Sequence, residues 1–516
     1  MAGNLYDALL GGIEREDRLL LTDETVGAMS YRAFADHCAR LAGALLEAGL
    51  QPGDRVAVQA EKSVAALALY LATVRAGGIY LPLNIAYTPA EIEYFLTDAE
   101  PSIFVCDPSK LEALQPIAKA AGAKILTLDP AGKGTLTDAA AIAKPIAETS
   151  ARGGADIAAI LYTSGTTGRS KGAMLSHDNL LSNATSLVDS WRFSDKDVLI
   201  HALPIFHTHG LFVATNVVLA SRASMIFQVK FDPNKIMEAM PKATVLMGVP
   251  TFYTRLLQHS GLDRHSTAHM RLFVSGSAPL LAETHAEWQA RTGHAILERY
   301  GMTETNMNTS NPYDGRRVAG TVGFPLPGVE VRIAGPETGA SLGTEEIGMI
   351  EVRGPNVFSG YWRMPEKTAA EFRKDGFFIT GDLGKVDTDG YLHIVGRGKD
   401  LIITGGYNVY PKEVEMEIDA MPGVYESAVF GVKHADFGEG IIAAIVLKSG
   451  AKLTEQEVIK ALDGRLAGYK RPKKVAFMAE LPRNTMGKVQ KNILRDRFSG
   501  VFEPSGCKIG DRNFRT

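Results

Sequence analysis

The chain has 516 residues, and its 55 Lys and Arg residues nearly balance its 58 Asp and Glu residues, giving a net charge of −3 at pH 7. At about 100–200 residues per domain, this length predicts two to four folding units and excludes a peptide-sized binding module. The balanced charge favours neither a nucleic-acid scaffold nor a polybasic membrane surface. With 45% hydrophobic and 22% charged residues, the composition excludes a disordered chain and predicts a soluble globular protein.

The three cysteines, Cys38, Cys106 and Cys507, lie far apart and in no metal-ligand spacing. They predict neither a disulfide framework nor a zinc site, and they fit a reducing compartment. The N-terminal segment lacks the basic region and long apolar core of a signal peptide. The longest apolar stretch, Val64 to Val74, is shorter than the ~20 residues of a membrane-spanning helix and predicts a buried helix. We therefore expect a cytoplasmic protein.

Short β-rich runs alternate with helical patterns over the first half of the chain, which predicts βαβ units and parallel sheets covered by helices. The predicted strands are RVAVQA (55–60), IYLPL (79–83), SIFVCD (102–107), DIAAILYT (156–163), DVLIHALP (197–204), SMIFQV (224–229), ATVLMGVP (243–250) and MRLFVSG (270–276). Predicted helices begin at Ser63 and within TPAEIEYFLTDAE (88–100).

From Gly320 onward, prolines and glycines separate shorter strands, which predicts a small barrel-like region. A glycine-flanked junction near Lys399 predicts a hinge, followed by a small α+β unit. The expected fold class is thus α/β, with a large N-terminal domain (1–398), a mobile C-terminal domain (399–503) and a disordered tail (504–516).

A loop rich in glycine and hydroxyl residues, TSGTTGRSKG at 163–172, follows the strand ILYT. Its glycines let the backbone approach an anion, its hydroxyls offer donors, and Lys171 adds a positive charge, so it predicts a polyphosphate cradle in a strand-loop-helix setting. It is not a Walker A loop, because Ser170 stands where that pattern needs glycine.

YTSGTTGRSKG (162–172) resembles the phosphate loop of the adenylate-forming acyl-CoA synthetase superfamily. Further motifs of that family follow in order: YGMTE (300–304), TGD (380–382), GRGKDLIITGGYNVYP (396–411) and PRNTMGK (482–488). The stretches HALPIFHTHGLFV (201–213), LMGVPTFYTRLLQ (246–258), SGSAPL (275–280) and LERYGMTETNMNTSNPYDG (297–315) closely resemble the malonyl-CoA synthetase branch. The resemblance covers the chain up to its tail and implies the adenylate-forming fold.

The resemblance implies ATP, Mg²⁺ and coenzyme A as reactants and cofactors, and it assigns the nucleotide site. The residues implied to bind ATP or AMP are Thr163, Ser164, Gly165, Thr166, Thr167, Gly168, Lys171, Gly276, Ser277, Ala278, Glu298, Arg299, Tyr300, Gly301, Met302, Thr303, Asp382, Arg397 and Lys488. Thr163 and Glu304 are the implied catalytic and Mg²⁺-binding residues of the first domain. Asp382 and Arg397 match the positions that bind the ribose hydroxyls. Gly276 could equally well be an ordinary turn residue with no contact to the nucleotide.

Lys488 matches the catalytic lysine of the family, which bridges the acyl carboxylate and the α-phosphate. Such lysines are regulated by acetylation in the family, which implies an acetyltransferase and a deacetylase as partners. Lys399, Gly405 and Gly406 match the hinge and the loop that serve coenzyme A. The alternative for Lys488 is an ordinary surface lysine, because the same region also contains lysines 470, 473, 474 and 491.

A malonate enzyme must bind a second carboxylate, and a buried charge needs a partner. We expect Arg255 to supply it from within VPTFYTRLLQ, although an isolated helical arginine usually faces solvent. His207, Ser277 and Met302 would complete the acyl pocket, with His209 an equal candidate for the histidine. Alternatively, both histidines could have a purely structural role and not contact the substrate.

The sequence therefore predicts ATP-dependent ligation of malonate, and also of methylmalonate, to coenzyme A through an acyl-adenylate. Alternatives within the chemistry are a synthetase for another short acid or a protein that loads a carrier-protein thiol. A third hypothesis is a nucleotide-binding sensor without catalytic activity. It is disfavoured because the residues matching the catalytic, Mg²⁺-binding and ribose-binding positions, Lys488, Glu304 and Asp382, are all present.

Overall fold

The computed structural model describes residues 3–13, 15–163, 170–405, 407–434, 436–463, 465–484 and 487–502. The predictions for Ser164, Gly165, Thr166, Thr167, Gly168, Gly406 and the tail 504–516 lie outside these residues. The chain divides into two compact units. The first comprises Met1–Arg332, Glu351–Thr380 and Asp387–Leu392, and the second comprises Ile333–Ile350, Gly381–Val386 and His393–Thr516.

The helices are α1 (Leu5–Leu10), α2 (Tyr31–Glu47), α3 (Val64–Arg75), α4 (Pro89–Ala99), α5 (Leu111–Ala120), α6 (Thr135–Ile142), α7 (His177–Ser190), α8 (Thr215–Ala220), α9 (Pro233–Ala239), α10 (Pro250–Leu257), α11 (Ala282–Thr292), α12 (Pro365–Ala370), α13 (Pro411–Asp419), α14 (Glu455–Ala461) and α15 (Lys491–Arg497). A π-helical segment, His209–Ala214, precedes α8. No helix within the described ranges is long and apolar enough to cross a membrane.

The strands are β1 (Leu19–Asp23), β2 (Gly27–Ser30), β3 (Arg55–Gln59), β4 (Ile79–Pro82), β5 (Ile103–Cys106), β6 (Lys124–Thr127), β7 (Ile157–Thr163), β8 (Lys171–Ser176), β9 (Val198–His201), β10 (Ser224–Phe227), β11 (Val245–Gly248), β12 (Leu272–Ser275), β13 (Leu297–Met302), β14 (Asn306–Ser310), β15 (Phe324–Pro325), β16 (Glu330–Ala334), β17 (Gly348–Arg353), β18 (Gly360–Tyr361), β19 (Phe378–Val386), β20 (Leu392–Arg397), β21 (Ile402–Thr404), β22 (Tyr407–Val409), β23 (Val424–His434), β24 (Gly438–Leu447) and β25 (Lys474–Met478).

Two large sheets form the first unit. A nine-stranded sheet has the order β15-β14-β13-β12-β11-β9-β10-β1-β2, and a seven-stranded sheet has the order β18-β8-β7-β4-β3-β5-β6. The central strands pair in parallel, and the antiparallel pairs lie toward the edges. This arrangement confirms the α/β fold predicted from the alternation of strand and helix patterns. The region after Gly320 contributes a four-stranded sheet, β16-β17-β19-β20.

The buried cores follow from local sequence. In α3 every residue from Val64 to Val74 is buried, which confirms the predicted buried helix, and Ser63 caps its first turn. Thr88 and Glu91 form a capping box that starts α4, whose apolar face packs on the seven-stranded sheet.

The second unit has its own five-stranded sheet and core. Strands β22-β21-β24-β23 are neighbours, with β25 on β24. Helices α13 and α14 pack Val414, Ile418 and Val458 against Val429 and Ile441 of this sheet. Helices and strands thus combine in this unit, as the predicted small α+β unit requires.

The parallel register of the nine-stranded sheet determines where functional side chains meet. The carboxyl ends of β9, β11, β12 and β13 lie along one edge, because Leu246 pairs with Ile200 and Phe273, and Ser275 pairs with Glu298. Ligands of open α/β sheets bind outside this edge. The segments that follow these strands carry the candidate residues His207, Arg255, Ser277 and Glu304.

Candidate active site

The predicted phosphate loop connects two strands rather than a strand and a helix. β7 and β8 are antiparallel neighbours, and Thr163 pairs with Lys171 across the loop. The expected helix is present: it begins at His177, and Ser176 is its N-cap. It does not follow the loop directly, because Lys171–Ser176 pairs with β7 on one side and β18 on the other and is therefore a strand.

Glu304 is held at the tip of the β13–β14 hairpin beside the start of the loop. Glu304 is 6% exposed; its Oε1 accepts a hydrogen bond from Thr163 Oγ1 at 3.3 Å and lies 3.1 Å from the Tyr361 hydroxyl oxygen. The structure therefore brings together Thr163 and Glu304, two residues that are 141 positions apart.

Lys171 is already engaged by an acidic partner. Its Nζ lies 3.1 Å from Glu371 Oε1 and 4.0 Å from the centre of the Tyr361 ring. Tyr361 also donates to Glu371 Oε2 at 2.6 Å. Burial alone would raise the pKa of Glu371, but hydrogen bonds from Lys367, Tyr361 and Lys171 lower it, so this carboxylate stays ionised. Sequence reasoning missed Tyr361 and Glu371, which lie far from the loop in sequence and belong to no recognised motif.

A buried arginine stands at the ends of β12 and β13. Arg299 is 4% exposed, and its Nε and Nη2 have no hydrogen-bond partner among the described residues. Burial lowers its pKa to about 9, so the guanidinium remains charged at neutral pH. A Cβ at Gly276 would lie 2.4 Å from its Cζ, which explains the glycine by close approach rather than by a turn alone.

A histidine and a serine adjoin this cation. His209 is fully buried, and its Nδ1 lies 3.2 Å from Ser277 Oγ, while its Nε2 has no partner among the described residues. Burial, and then the charge of Arg299, lower the pKa of His209 well below its usual range. Ser277 has a φ of +71°, a strained conformation for a residue with a side chain.

Of the two candidate histidines, His209 is the one that contacts Ser277. His207 is half-buried, and its Nδ1 accepts a hydrogen bond from the backbone of His209. Arg255 is exposed on α10, whose buried face is filled by Phe252, Tyr253, Leu256 and Leu257. The assignment of Arg255 to the acid stays a prediction, which Arg255→Ala tests.

The other predicted residues of this sheet edge lie on or beside β13. Glu298 Oε1 is 3.3 Å from His285 Nδ1 and accepts a hydrogen bond from the Gly320 amide at 3.1 Å. Tyr300 is buried, whereas Gly301, Met302, Thr303 and Ala278 are half-buried. At Gly301 a Cβ would lie 1.9 Å from the Asn306 carbonyl oxygen, so only glycine fits the hairpin.

The second unit holds the remaining predicted residues. Asp382 is 3% exposed, and Arg397 Nε lies 2.6 Å from its Oδ1. Lys399 is exposed in the 3₁₀ turn Gly398–Asp400. Gly405 has a φ of +57°, which favours glycine.

The loop that carries Lys488 is closed by its own backbone and side chains. Asn484 Oδ1 accepts from the Lys488 amide at 2.9 Å, and the Lys488 carbonyl accepts from the Asn484 amide at 2.9 Å. Arg483 donates to the Gly487 carbonyl at 2.6 Å and forms an ion pair with Glu426. The Lys488 side chain is exposed.

A divalent cation fits the donors around Glu304. Mg²⁺ takes one or two carboxylates and leaves its other positions to phosphate oxygens and water. Glu304 and Thr163 offer one carboxylate and one hydroxyl at the start of the loop. Within the described ranges, no group of three or more His, Cys, Asp or Glu residues could hold a metal ion.

Comparison with known proteins connects these features to a family. The sequence matches AMP-binding enzymes over residues 14–362 and the AMP-binding enzyme C-terminal domain over residues 413–488. It is 35% identical to the malonate–CoA ligase of Arabidopsis thaliana over 95% of this chain and 84% of that protein. It is 36% identical to the mitochondrial malonate–CoA ligase of Mus musculus over 93% of this chain and 88% of that protein. The crystal structure of ATP-bound MatB from Rhodopseudomonas palustris has a TM-score of 0.95 and 64% identity, covering 97% of this chain and 99% of that one.

Proposed function

Because the chain belongs to the AMP-binding enzyme family, we propose that it is an acid–thiol ligase that joins malonate to coenzyme A. In the first half-reaction a malonate carboxylate oxygen attacks the α-phosphorus of ATP, giving malonyl-adenylate and pyrophosphate. In the second, the thiol of coenzyme A displaces AMP. The likeness to malonate–CoA ligases and to MatB supports this reaction.

The buried, uncompensated charge of Arg299 is the observation that favours a dicarboxylic acid as the substrate. Removing a cation from water is costly unless an anion and hydrogen bonds replace the lost hydration. The second carboxylate of malonate would pair with Nε and Nη2 of Arg299, for which the described residues supply no hydrogen-bond partner. An acid with one carboxylate would leave them unpaired. Arg299 thus takes the role first assigned to Arg255.

His209 and Ser277 would complete this carboxylate site. With Ser277 donating to Nδ1 of His209, the ring's proton lies on Nε2, which becomes a further donor to the anion. Met302, half-buried on β13, would limit the length of the acid. Methylmalonate keeps both carboxylates and is the expected second substrate.

The residues proposed to bind the nucleotide occur in both units. We assign the β- and γ-phosphates to the loop from Thr163 to Lys171, and the ribose hydroxyls to Asp382 and Arg397. Glu304 and Thr163 would hold Mg²⁺, which when bound would neutralise phosphate charge. Lys171 must exchange Glu371 for a phosphate oxygen, since the two are 3.1 Å apart in the free protein.

Lys488, in the second unit, would bridge the attacking carboxylate and the α-phosphate as charge builds there. Acetylation would remove that charge, so an acetyltransferase and a deacetylase are proposed partners. Lys399, Gly405 and Gly406 would act in the second half-reaction. The division into domains 1–398 and 399–503 and a cytoplasmic location belong to the same proposal.

Pyrophosphate exchange with a panel of acids tests the proposal. We expect malonate to be the best substrate, methylmalonate the next, and acetate, propionate and benzoate to be poor. Product analysis should give malonyl-CoA and AMP only when coenzyme A is present. Preference for a monocarboxylic acid would contradict the role of Arg299, and turnover with a carrier protein in place of coenzyme A would contradict the ligase assignment.

A further inference from the structure

A buried lysine outside the nucleotide and acyl sites has no explanation in the proposed reaction. Lys62 is 5% exposed and immediately precedes Ser63, the cap of α3. Its Nζ lies 3.0 Å from His201 Nδ1 and 2.8 Å from the His201 carbonyl oxygen, and 4.3 Å from the centre of the Phe227 ring. In the described part of the chain, no carboxylate forms an ion pair with it. A charge-bearing group is rarely buried in this way unless it is needed.

The contacts of His201 determine where its ring proton lies. A carbonyl oxygen only accepts, so Nε2 of His201, which contacts the Gly210 carbonyl, carries the ring's proton, and Nδ1 accepts from Nζ of Lys62. Nε2 lies 2.9 Å from the Gly210 carbonyl oxygen and 3.3 Å from Thr215 Oγ1. Thr215 Oγ1 in turn donates to the same carbonyl at 3.0 Å. All of these polar side chains are at least nine-tenths buried.

The Gly210 carbonyl belongs to the π-helical segment that begins with His209. A π-helix is an uncommon, locally strained turn that often occurs at functional sites. Gly210 packs closely on the preceding loop, since a Cβ there would lie 2.1 Å from the Pro204 carbonyl oxygen. His201 therefore fixes the backbone one residue after His209, the imidazole that faces Ser277.

We propose that Lys62 is a positioning residue for recognition of the acid. By selecting the Nε2–H form of His201, it anchors the π-helical segment and so holds His209 where the distal carboxylate binds. This inference rests on the proposed function, because it concerns the site formed by His209, Ser277 and Arg299.

Kinetics of Lys62→Met with malonate, propionate and ATP test the inference. Since a displacement of about 1 Å can cost about a hundred-fold in rate, we expect KM for malonate to rise by at least about ten-fold. The KM for ATP and the rate with propionate should change by less than about two-fold. Tyr31→Phe is the matched control, because it removes one buried hydrogen bond in the same unit, from Tyr31 to the Ala223 carbonyl at 2.7 Å. It should leave the malonate-to-propionate ratio unchanged.

A double variant separates positioning from general stability. Glutamine at 201 places an amide donor near the position of Nε2 and needs no lysine to fix its proton. Lys62→Met with His201→Gln should therefore recover selectivity lost in Lys62→Met, whereas a merely structural lysine predicts a further loss. If Lys62→Met does not fold, His201→Gln and His201→Leu replace it. The first should keep the ratio and the second should lose it, and equal ratios in the two would overturn the inference.

Different results would overturn the proposed function and the role of Lys62. A wild-type protein without malonate-dependent pyrophosphate exchange overturns the proposed function. A wild-type protein that uses malonate, with the same malonate-to-propionate ratio in Lys62→Met, overturns only the role of Lys62.

Discussion

Arg299 is a cation that the folded protein buries without a counter-ion in the described residues. Such a group destabilises the free protein, since replacing an uncompensated buried charge by an apolar side chain is neutral or stabilising. Its presence is understandable when a ligand supplies the missing anion. The free protein would then tolerate a local cost that malonate relieves.

Arg299→Met should remove malonate selectivity without loss of fold. Truncating one partner of a buried charge pair costs about 2–5 kcal/mol, so kcat/KM for malonate should fall by at least about 30-fold. Activity with propionate should fall far less or rise. The melting temperature without malonate should equal or exceed that of the wild type, and the stabilisation by added malonate should disappear.

Arg255→Ala is the matched control for Arg299→Met, because Arg255 is an exposed arginine in the same unit. Its malonate kinetics should stay within about two-fold of the wild type, as expected for an exposed surface position. A larger loss in Arg255→Ala than in Arg299→Met would restore the assignment made from sequence.

Lys488→Ala should abolish the first half-reaction and spare the second. Its charge is needed while negative charge builds on the α-phosphate, and loss of one such stabilising group typically costs about 100- to 1,000-fold in rate. Pyrophosphate exchange measures the first half-reaction, and thioester formation from synthetic malonyl-adenylate measures the second. Lys452→Ala, an exposed lysine of the same unit, serves as the control. Equal losses in both half-reactions would show that Lys488 is structural.

At the scale of elements, the β13–β14 hairpin positions the acidic residue of the nucleotide site. Met302 pairs with Asn306, and the irregular register between Tyr300 and Gly301 brings the chain close to itself. Glu304 lies at the turn between the strands. The geometry of this turn therefore determines whether Glu304 reaches Thr163.

Gly301→Ala should displace this hairpin. The added Cβ would lie 1.9 Å from a backbone oxygen, that of Asn306, and 2.6 Å from the Met307 side chain. Overpacking of this kind costs about 1–3 kcal/mol, so we expect a melting temperature lower by a few degrees and a raised KM for ATP. Gly153→Ala, where the nearest atom is 3.8 Å away, should change neither quantity. An unchanged KM for ATP in Gly301→Ala would mean that the hairpin does not set the position of Glu304.

Elements with a clear hydrophobic period could be predicted from sequence, and contacts between distant elements could not. The strands at 157–163, 198–201 and 272–275 fall where short apolar runs end in glycine, proline or polar residues. The segment Lys171–Ser176 was missed as a strand because its partners lie on both sides of it. Met174 pairs with Ile160, 14 positions away, and Ala173 pairs with Tyr361, 188 positions away.

The residues proposed for the acyl site also depend on contacts that the sequence could not predict. The resemblance to malonyl-CoA synthetases implied that an arginine and a histidine face the acid, but the sequence could not say which face of α10 is buried. Four apolar residues of that helix fill its inner face, and the arginine that we propose for the acid, Arg299, belongs to β13. The choice between His207 and His209 depended on the π-helical segment, which no local pattern predicts.

For the whole molecule, the two half-reactions place different demands on the two units. The first unit contains Thr163, Glu304 and Arg299, and the second contains Asp382, Lys399 and Lys488. If Lys488 serves only adenylation, another part of the second unit must serve the thiol step, and Gly405 is the candidate. The junction at Lys399 is then required to adopt more than one backbone conformation during a catalytic cycle.

Lys399→Pro should spare adenylation and slow thioester formation. Lys399 lies in a 3₁₀ turn, whose φ of about −50° to −70° suits proline, so the variant should fold. Proline would hold the backbone near that φ and oppose any rotation about residue 399. Pyrophosphate exchange should stay within about two-fold of the wild type, while single-turnover thioester formation should fall at least about ten-fold, as expected when a conformational step limits the rate. Lys399→Ala removes the same charge but leaves the backbone free, so it should behave as the wild type in both measurements. Equal thioester rates in the proline and alanine variants would place the hinge elsewhere in the chain.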